Sequence, residues 1–325
     1  MIQQQYTPPP PKPVHTQPIL AYKGNGGTLF RIMLVNMLLT MVTLGFYYPW
    51  AKAKTLQYLY NATELDNSRF AFHGTGAEMF KGFLKAIGCI AVIIAVVVAC
   101  VLAHLQIVGI VIYAIAIFTL APFVIHGAFR YRMSRTTWRA IRFGYRGNLS
   151  AFVKLFMVEM LLTICTFGFY ASWMTIKLRN YVLSNVRFGS GEFQYKGDGW
   201  DYFALNMKGM LLSMVTFGIY SFWWQAELFQ YYVDNLRLVQ GERSFTLRSK
   251  ATGGAFAKMI ILNTLLVICT LGLGFAWAQT NTLTFLMNNV HIEGDIDLAS
   301  LEQTEEEYKN ALGEDMADMF DISFI

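Results

Sequence analysis

A tripeptide that returns four times, each time with a tryptophan five residues after its glycine, constrains this chain more tightly than any other feature. The copies are Thr43-Leu44-Gly45 with Trp50, Thr166-Phe167-Gly168 with Trp173, Thr216-Phe217-Gly218 with Trp223, and Thr270-Leu271-Gly272 with Trp277. A second motif lies 21 residues before each of these glycines: a base, a small residue, then Asn, Asp or Thr. It reads Lys23-Gly24-Asn25, Arg146-Gly147-Asn148, Lys196-Gly197-Asp198 and Lys250-Ala251-Thr252. A fifth copy, His73-Gly74-Thr75-Gly76, is followed at a longer distance by Thr119-Leu120-Ala121 with no matching tryptophan. Self-similarity at a fixed spacing predicts a chain built from repeats of one supersecondary unit.

Each unit reads physically in the same order. The basic-Gly motif marks a turn, where Gly supplies unusual backbone angles and Asn or Asp closes the turn through its side chain. An apolar run follows, such as Leu29–Leu44 or Phe152–Phe167, and suits a helix. The Thr-x-Gly-aromatic patch breaks that helix, and its Tyr and Trp suit a membrane–water boundary. A more polar second helix runs from the Trp to about Ala62, Asn185, Asn235 or Asn289. Stretches such as Arg69-Phe70-Ala71-Phe72 alternate with period two and predict short β-hairpin-like linkers. The second unit carries about 26 extra residues and predicts two long helices, roughly Ala77–His104 and Ile107–Ala140.

The composition names the solvent. Of 325 residues 55% are apolar and 14% charged, with a mean hydropathy of +0.39; a soluble domain carries about 25% charged residues. Ala86–Ala103 and Ile107–Ile125 are free of charge, and each approaches the roughly 20 residues that span a bilayer. The expected fold class is therefore an all-α membrane protein of about five two-helix units, with eight to ten transmembrane helices. The units fall at about 22–72, 73–145, 146–195, 196–249 and 250–297, within a membrane domain over 21–297. Residues 1–20 hold six of the eight prolines and read as a disordered, solvated tail without the h-region of a signal peptide. Residues 298–325 read as an acidic tail. From Glu293 to the end there are eleven acids and one base, so the preceding 292 residues carry a net charge of +15. Leu301, Tyr308, Leu312 and Met316 suit an amphipathic helix that either stays solvated or folds back on the basic body. Bases cluster on the basic-Gly side of every unit, and the excess of Lys and Arg predicts that this side and both termini are cytoplasmic.

The tripeptide with its downstream Trp, and the Arg-Phe stretches, resemble the YjgN-like bacterial inner-membrane proteins over about residues 20–297. The resemblance implies a bacterial inner-membrane location and brings no established activity or catalytic residue.

Alignment of the units on the tripeptide glycine exposes the candidate functional positions. Gly45, Trp50, Gly168, Trp173, Gly218, Trp223, Gly272 and Trp277 are motif residues with structural roles. Nine residues before the glycine lie Asn36, Glu159, Gly209 and Asn263; nine after it, or after Ala121, lie Lys54, Arg130, Lys177, Glu227 and Asn281. Arg132 and Arg179 follow two residues later. Ionisable groups at mid-membrane cost about 2.5–3.5 kcal/mol each, so they pair, snorkel, or line a wet cavity. Glu159 and Glu227 suit proton or cation handling, and Arg130, Arg132, Lys177 and Arg179 suit an anion or headgroup pocket. No metal-type Cys/His spacing, P-loop or catalytic constellation is present in the sequence, so neither an enzyme nor a cofactor is expected. Two functions are consistent with these residues: a transporter or channel for a small solute or ion, and a non-transport module. The latter would bind anionic lipid headgroups or a cytoplasmic protein through the basic face. Nucleic acid is not an expected partner.

Overall fold

The computed structural model describes residues 20–241, 243–294 and 301–303. The proline-rich leader and most of the acidic tail lie outside these residues. Among the described residues, ten helices and ten strands alternate pairwise along the chain. The helix pairs are α1 (Gly26–Val42) with α2 (Tyr48–Asn61), α3 (Gly76–Leu102) with α4 (Gln106–Ser134), and α5 (Leu149–Cys165) with α6 (Ala171–Ser184). Then come α7 (Gly199–Val215) with α8 (Ser221–Asp234), and α9 (Gly253–Cys269) with α10 (Phe275–Asn288).

The strands overturn the all-α expectation. The short alternating stretches do not stand apart as separate linkers. They join edge to edge into one antiparallel sheet of ten strands in strict chain order, nearly closed into a barrel. These are β1 (Leu20–Tyr22), β2 (Thr63–Leu65), β3 (Ser68–Phe72), β4 (Thr136–Trp138) and β5 (Ile141–Tyr145), then β6 (Val186–Phe188), β7 (Gly191–Tyr195), β8 (Leu236–Gln240), β9 (Arg243–Ser249) and β10 (Val290–Gly294). Each helix pair bridges two neighbouring strands, and tight turns join the strands between pairs. A strand edge is stable only when paired or covered, and here each hairpin supplies the partner for the next. The physical reason for the error is that a three-residue strand is stabilised by neighbours from another part of the chain.

The expected count of eight to ten spanning helices also fails. Only α3 and α4, at 27 and 29 residues, are long and apolar enough to cross a membrane among the described residues. The others have 14 or 17 residues, or about 21–25 Å at 1.5 Å per residue. The predicted helix to Ala140 stops at Ser134 instead. Thr136 to Trp138 enter the sheet, and Arg139 and Ala140 form a two-residue turn with φ of 47° and 64°, the left-handed geometry of tight hairpins.

The basic-Gly motif has a local role at each strand end. Asn25, Thr75, Asn148, Asp198 and Thr252 are helix N-caps whose side chains accept from backbone N–H groups in the first turn, satisfying donors that a helix start leaves free. The base before them extends the ladder by one bond. The N–H groups of Lys23, His73, Arg146, Lys196 and Lys250 donate to the carbonyls of Ala62, Arg135, Asn185, Asn235 and Asn289, each at the end of a second helix.

The helices form a ring over the barrel. Each packs on its two chain neighbours, and α10 packs on α1 and on β1. The motif tryptophans are the joints. Trp50, Trp173 and Trp223 press on Gly76, Gly199 and Gly253 at the start of the following pair, and Trp277 presses on Gly26 of the first. The second pair departs from this pattern on both sides of the joint at once. His126 stands in the tryptophan position and shares a hydrogen bond of 3.0 Å with the Gly147 carbonyl, and Leu149 stands in the glycine position.

Candidate functional site: an apolar chamber and its polar braces

The barrel core takes apolar side chains from every strand. Leu65, Trp138, Ile141, Phe188 and Leu238 are buried together, and Leu20, Phe70, Phe143, Phe193, Phe245 and Ile292 pack against them. Trp138 is fully buried, and its indole N–H donates to the carbonyls of Leu65 and Ser68, clamping the neighbouring hairpin. Phe143 and Phe188 stack at 4.3 Å. From the acidic tail, Leu301 is buried in the same cluster, and Gln303 accepts a hydrogen bond from the Arg142 backbone. This short segment therefore docks on the barrel.

Where the barrel meets the helix ring, the packing opens into a chamber of about 490 Å³. Its walls include Phe70, Phe143, Phe193 and Phe245 from the sheet and Leu59, Met133, Leu283 and Met287 from α2, α4 and α10. Among the described residues, the side-chain oxygens on the wall are the hydroxyls of Tyr60, Thr63 and Thr136. Its size and lining are those of a small-molecule site, with a few polar groups among many apolar ones. Sequence reasoning missed it. The period-two alternation marked the inward residues, but which hairpins would share a barrel is not encoded locally.

The polar positions in the helices do not meet at one point. They brace each pair separately. Asn36 on α1 donates to the Ala51 carbonyl at 3.0 Å and to Thr55 Oγ1 at 3.3 Å. Asn263 on α9 makes the same two bonds to Ala278 and Thr282, and accepts from Asn281 at 3.2 Å. Glu159 is buried on α5 and pairs with Lys177 on α6 at 2.9 Å, while Lys177 also reaches the Tyr170 hydroxyl. Glu227 on α8 pairs with Lys208 on α7 at 2.7 Å and accepts from the Tyr220 hydroxyl. At Gly209 the missing side chain makes room for the Trp224 indole. Lys54 lies over the Tyr47 ring, and the Arg179 guanidinium sits 3.6 Å from the centre of the Tyr232 ring. Arg130 is half-buried on α4, and Arg132 exposes its side chain while its carbonyl accepts from Thr136. Among the described residues, no group of three or more His, Cys, Asp or Glu could hold a metal ion.

Glu64 is buried and ties β2 to β3 and to Lys23 just past the end of β1. Its carboxylate meets Lys23 at 2.7 Å and Arg69 at 3.1 Å. Hydrogen bonds from these two cations hold its pKa below the ordinary carboxylate range.

The family model described as "Bacterial protein of unknown function (DUF898)" matches residues 17–200, 190–246 and 224–319. The chain belongs to this family. Among curated proteins it is similar to "Inner membrane protein YjgN" of Salmonella typhimurium (strain LT2), 30% identical over 174 residues, 52% of this chain and 42% of the relative. It is also similar to the proteins of that name from Escherichia coli O157:H7, 30% identical over 39% of this chain and 31% of the relative, and Escherichia coli K12, 30% identical over 40% and 32%. The chain spans less than half the length of the curated relatives it matches. No solved structure matches it. These relatives bear out the resemblance to YjgN-like proteins that the tripeptide and its Trp suggested.

Proposed function

We propose that this DUF898 protein is a bacterial inner-membrane protein that holds the apolar part of a lipid-like amphiphile in its chamber, with the barrel on the cytoplasmic side. The chamber carries the reading: about 490 Å³ of space walled by aromatic and aliphatic side chains, under a ring of helices that expose apolar residues. The names of the YjgN relatives support the membrane, as do the two long apolar helices. The excess of bases ahead of the acidic tail favours an anionic headgroup and the cytoplasmic side. Transport of an ion or a polar solute has less support. Glu159, Glu227, Asn36 and Asn263 are each engaged inside their own helix pair, and the chamber wall offers few polar atoms to a hydrophilic cargo.

The test is binding of an environment-sensitive fluorescent fatty acid to the purified full-length protein, with Phe193→Lys as the variant. Its ammonium would place a charge on the apolar wall, and a drop in affinity of tenfold or more is expected. A thermal melt of the variant shows whether it remains folded, and Phe193→Leu keeps the wall apolar and should bind nearly as well. Equal binding by a folded Phe193→Lys protein would sink the chamber as the ligand site.

A further inference from the structure

The five first helices all start from the same level, because each N-cap follows directly on a strand end of one barrel. Position along these helices therefore measures height above the barrel. Five residues after the helix start, four of the five carry an exposed base: Arg31, Lys81, Lys154 and Lys258. Eleven residues further on, α1, α5, α7 and α9 end, at Val42, Cys165, Val215 and Cys269. At 1.5 Å per residue that is about 16 Å, half of a hydrocarbon core of about 30 Å. α3 continues instead to Leu102, about 32 Å beyond Lys81, or one whole core. The level at which the short pairs turn corresponds to Val92, inside the uncharged run Ala86–Ala103.

The turns themselves differ in the same sense. Leu44, Phe167, Phe217 and Leu271 stand at the tips with 90, 97, 98 and 94% of their surface exposed. Every backbone N–H across each tip is satisfied within the turn. From Thr43 to Tyr48 the acceptors are the carbonyls of Leu39, Met41, Thr40 and Thr43, the Thr43 hydroxyl and the Gly45 carbonyl. The same six bonds recur over 166–171, 216–221 and 270–275. A turn with no unmet donor and an apolar tip tolerates hydrocarbon, where an unsatisfied group costs several kcal/mol. The long hairpin has a left-handed residue at the corresponding place, φ 59°, and there it is His104, a polar group.

We propose that the eight short helices enter one leaflet only, that their four Thr-x-Gly turns lie near the bilayer midplane, and that α3–α4 alone crosses. The base belt then sits among the headgroups of the leaflet facing the barrel, where anionic lipid attracts it. Lys208, one turn deeper on α7, is neutralised there by its ion pair with Glu227 on α8. The inference rests on the membrane reading of the preceding section and goes beyond it by fixing depth.

The experiment places single cysteines in the full-length protein with Cys89, Cys100, Cys165 and Cys269 replaced. Variants His104→Cys, Lys258→Cys and Phe217→Cys are exposed to a membrane-impermeant maleimide in intact spheroplasts and in inside-out vesicles. His104→Cys is expected to react only in spheroplasts, Lys258→Cys only in inside-out vesicles, and Phe217→Cys in neither until detergent is added. A bimane fluorophore on Phe217→Cys should be quenched most by phospholipid brominated near the chain ends, and least by lipid brominated near the headgroup. Labelling of Phe217→Cys from outside, or strongest quenching by shallow bromines, would overturn the midplane placement and leave the membrane reading standing. Recovery of the protein in the soluble fraction would remove both.

Discussion

The indole of Trp277 lies on the face of Gly26, where a single added methyl group would run into the ring. This contact joins the tenth helix to the first. The fold supplies its own precedent for changing it, since the joint after α4 uses His126 and Leu149 in the corresponding places. Gly26→Leu alone should cost about 1–3 kcal/mol, as overpacking does. Combined with Trp277→His it should recover part of the loss, with a coupling of about 1 kcal/mol or more. Thermal denaturation of the four proteins of the cycle in detergent measures this. Strict additivity would mean that the joint is not a unit.

Positions 159 and 177 correspond to 263 and 281, where two asparagines make the brace. Lys177→Ala strands a buried carboxylate and should destabilise by about 2 kcal/mol. That is less than the roughly 3–5 kcal/mol of a fully buried broken pair, because Lys177 is half exposed. The double change Glu159→Asn with Lys177→Asn should restore most of the stability. A double variant no better than Lys177→Ala would contradict the equivalence.

Gly168 has φ of +91°, and a methyl group there would meet nothing. Any cost of Gly168→Ala is therefore conformational, about 1–2 kcal/mol, visible as a lower melting temperature. The same change at Gly82, which lies in open space inside α3, should stabilise by about 0.5–1 kcal/mol. The two glycines should thus move the melt in opposite directions.

Glu64 predicts acid sensitivity in the barrel. Its folded pKa is depressed by Lys23 and Arg69, so its contribution is present above the unfolded value near 4.5 and is lost as pH falls through the lower, folded value. Stability measured by denaturant should decline below about pH 4.5, and Glu64→Gln should flatten that part of the profile. An unchanged profile in the variant would assign the acid sensitivity elsewhere.

The helix pairs were legible in the sequence because their boundaries are local chemistry. An Asn, Asp or Thr cap opens the first helix, Thr-x-Gly closes it, and the second ends at Ala62, Asn185, Asn235 or Asn289, each of which is the observed C-cap. The sheet was not legible. Phe143 and Phe188 stack across strands 45 residues apart, and no local pattern says that they meet. Arg139 and Ala140 carry none of the usual marks of a left-handed turn, so β4 and this turn read as the end of a helix. The polar candidates were found by alignment of the units. Their roles as separate braces followed only from the partners, and the chamber only from the sheet.

Strict chain order in the sheet also sets a timetable. Each helix pair packs on the one before it and the one after it, so most contacts form between segments synthesised within seconds of each other. Growth from the first pair is a nearest-neighbour process of low entropic cost. The exceptions are the contacts of α10 with α1 and β1, and the docking of residues 301–303 on the barrel. Until the ribosome has delivered α10, the nascent chain is an open arc whose chamber has no last wall.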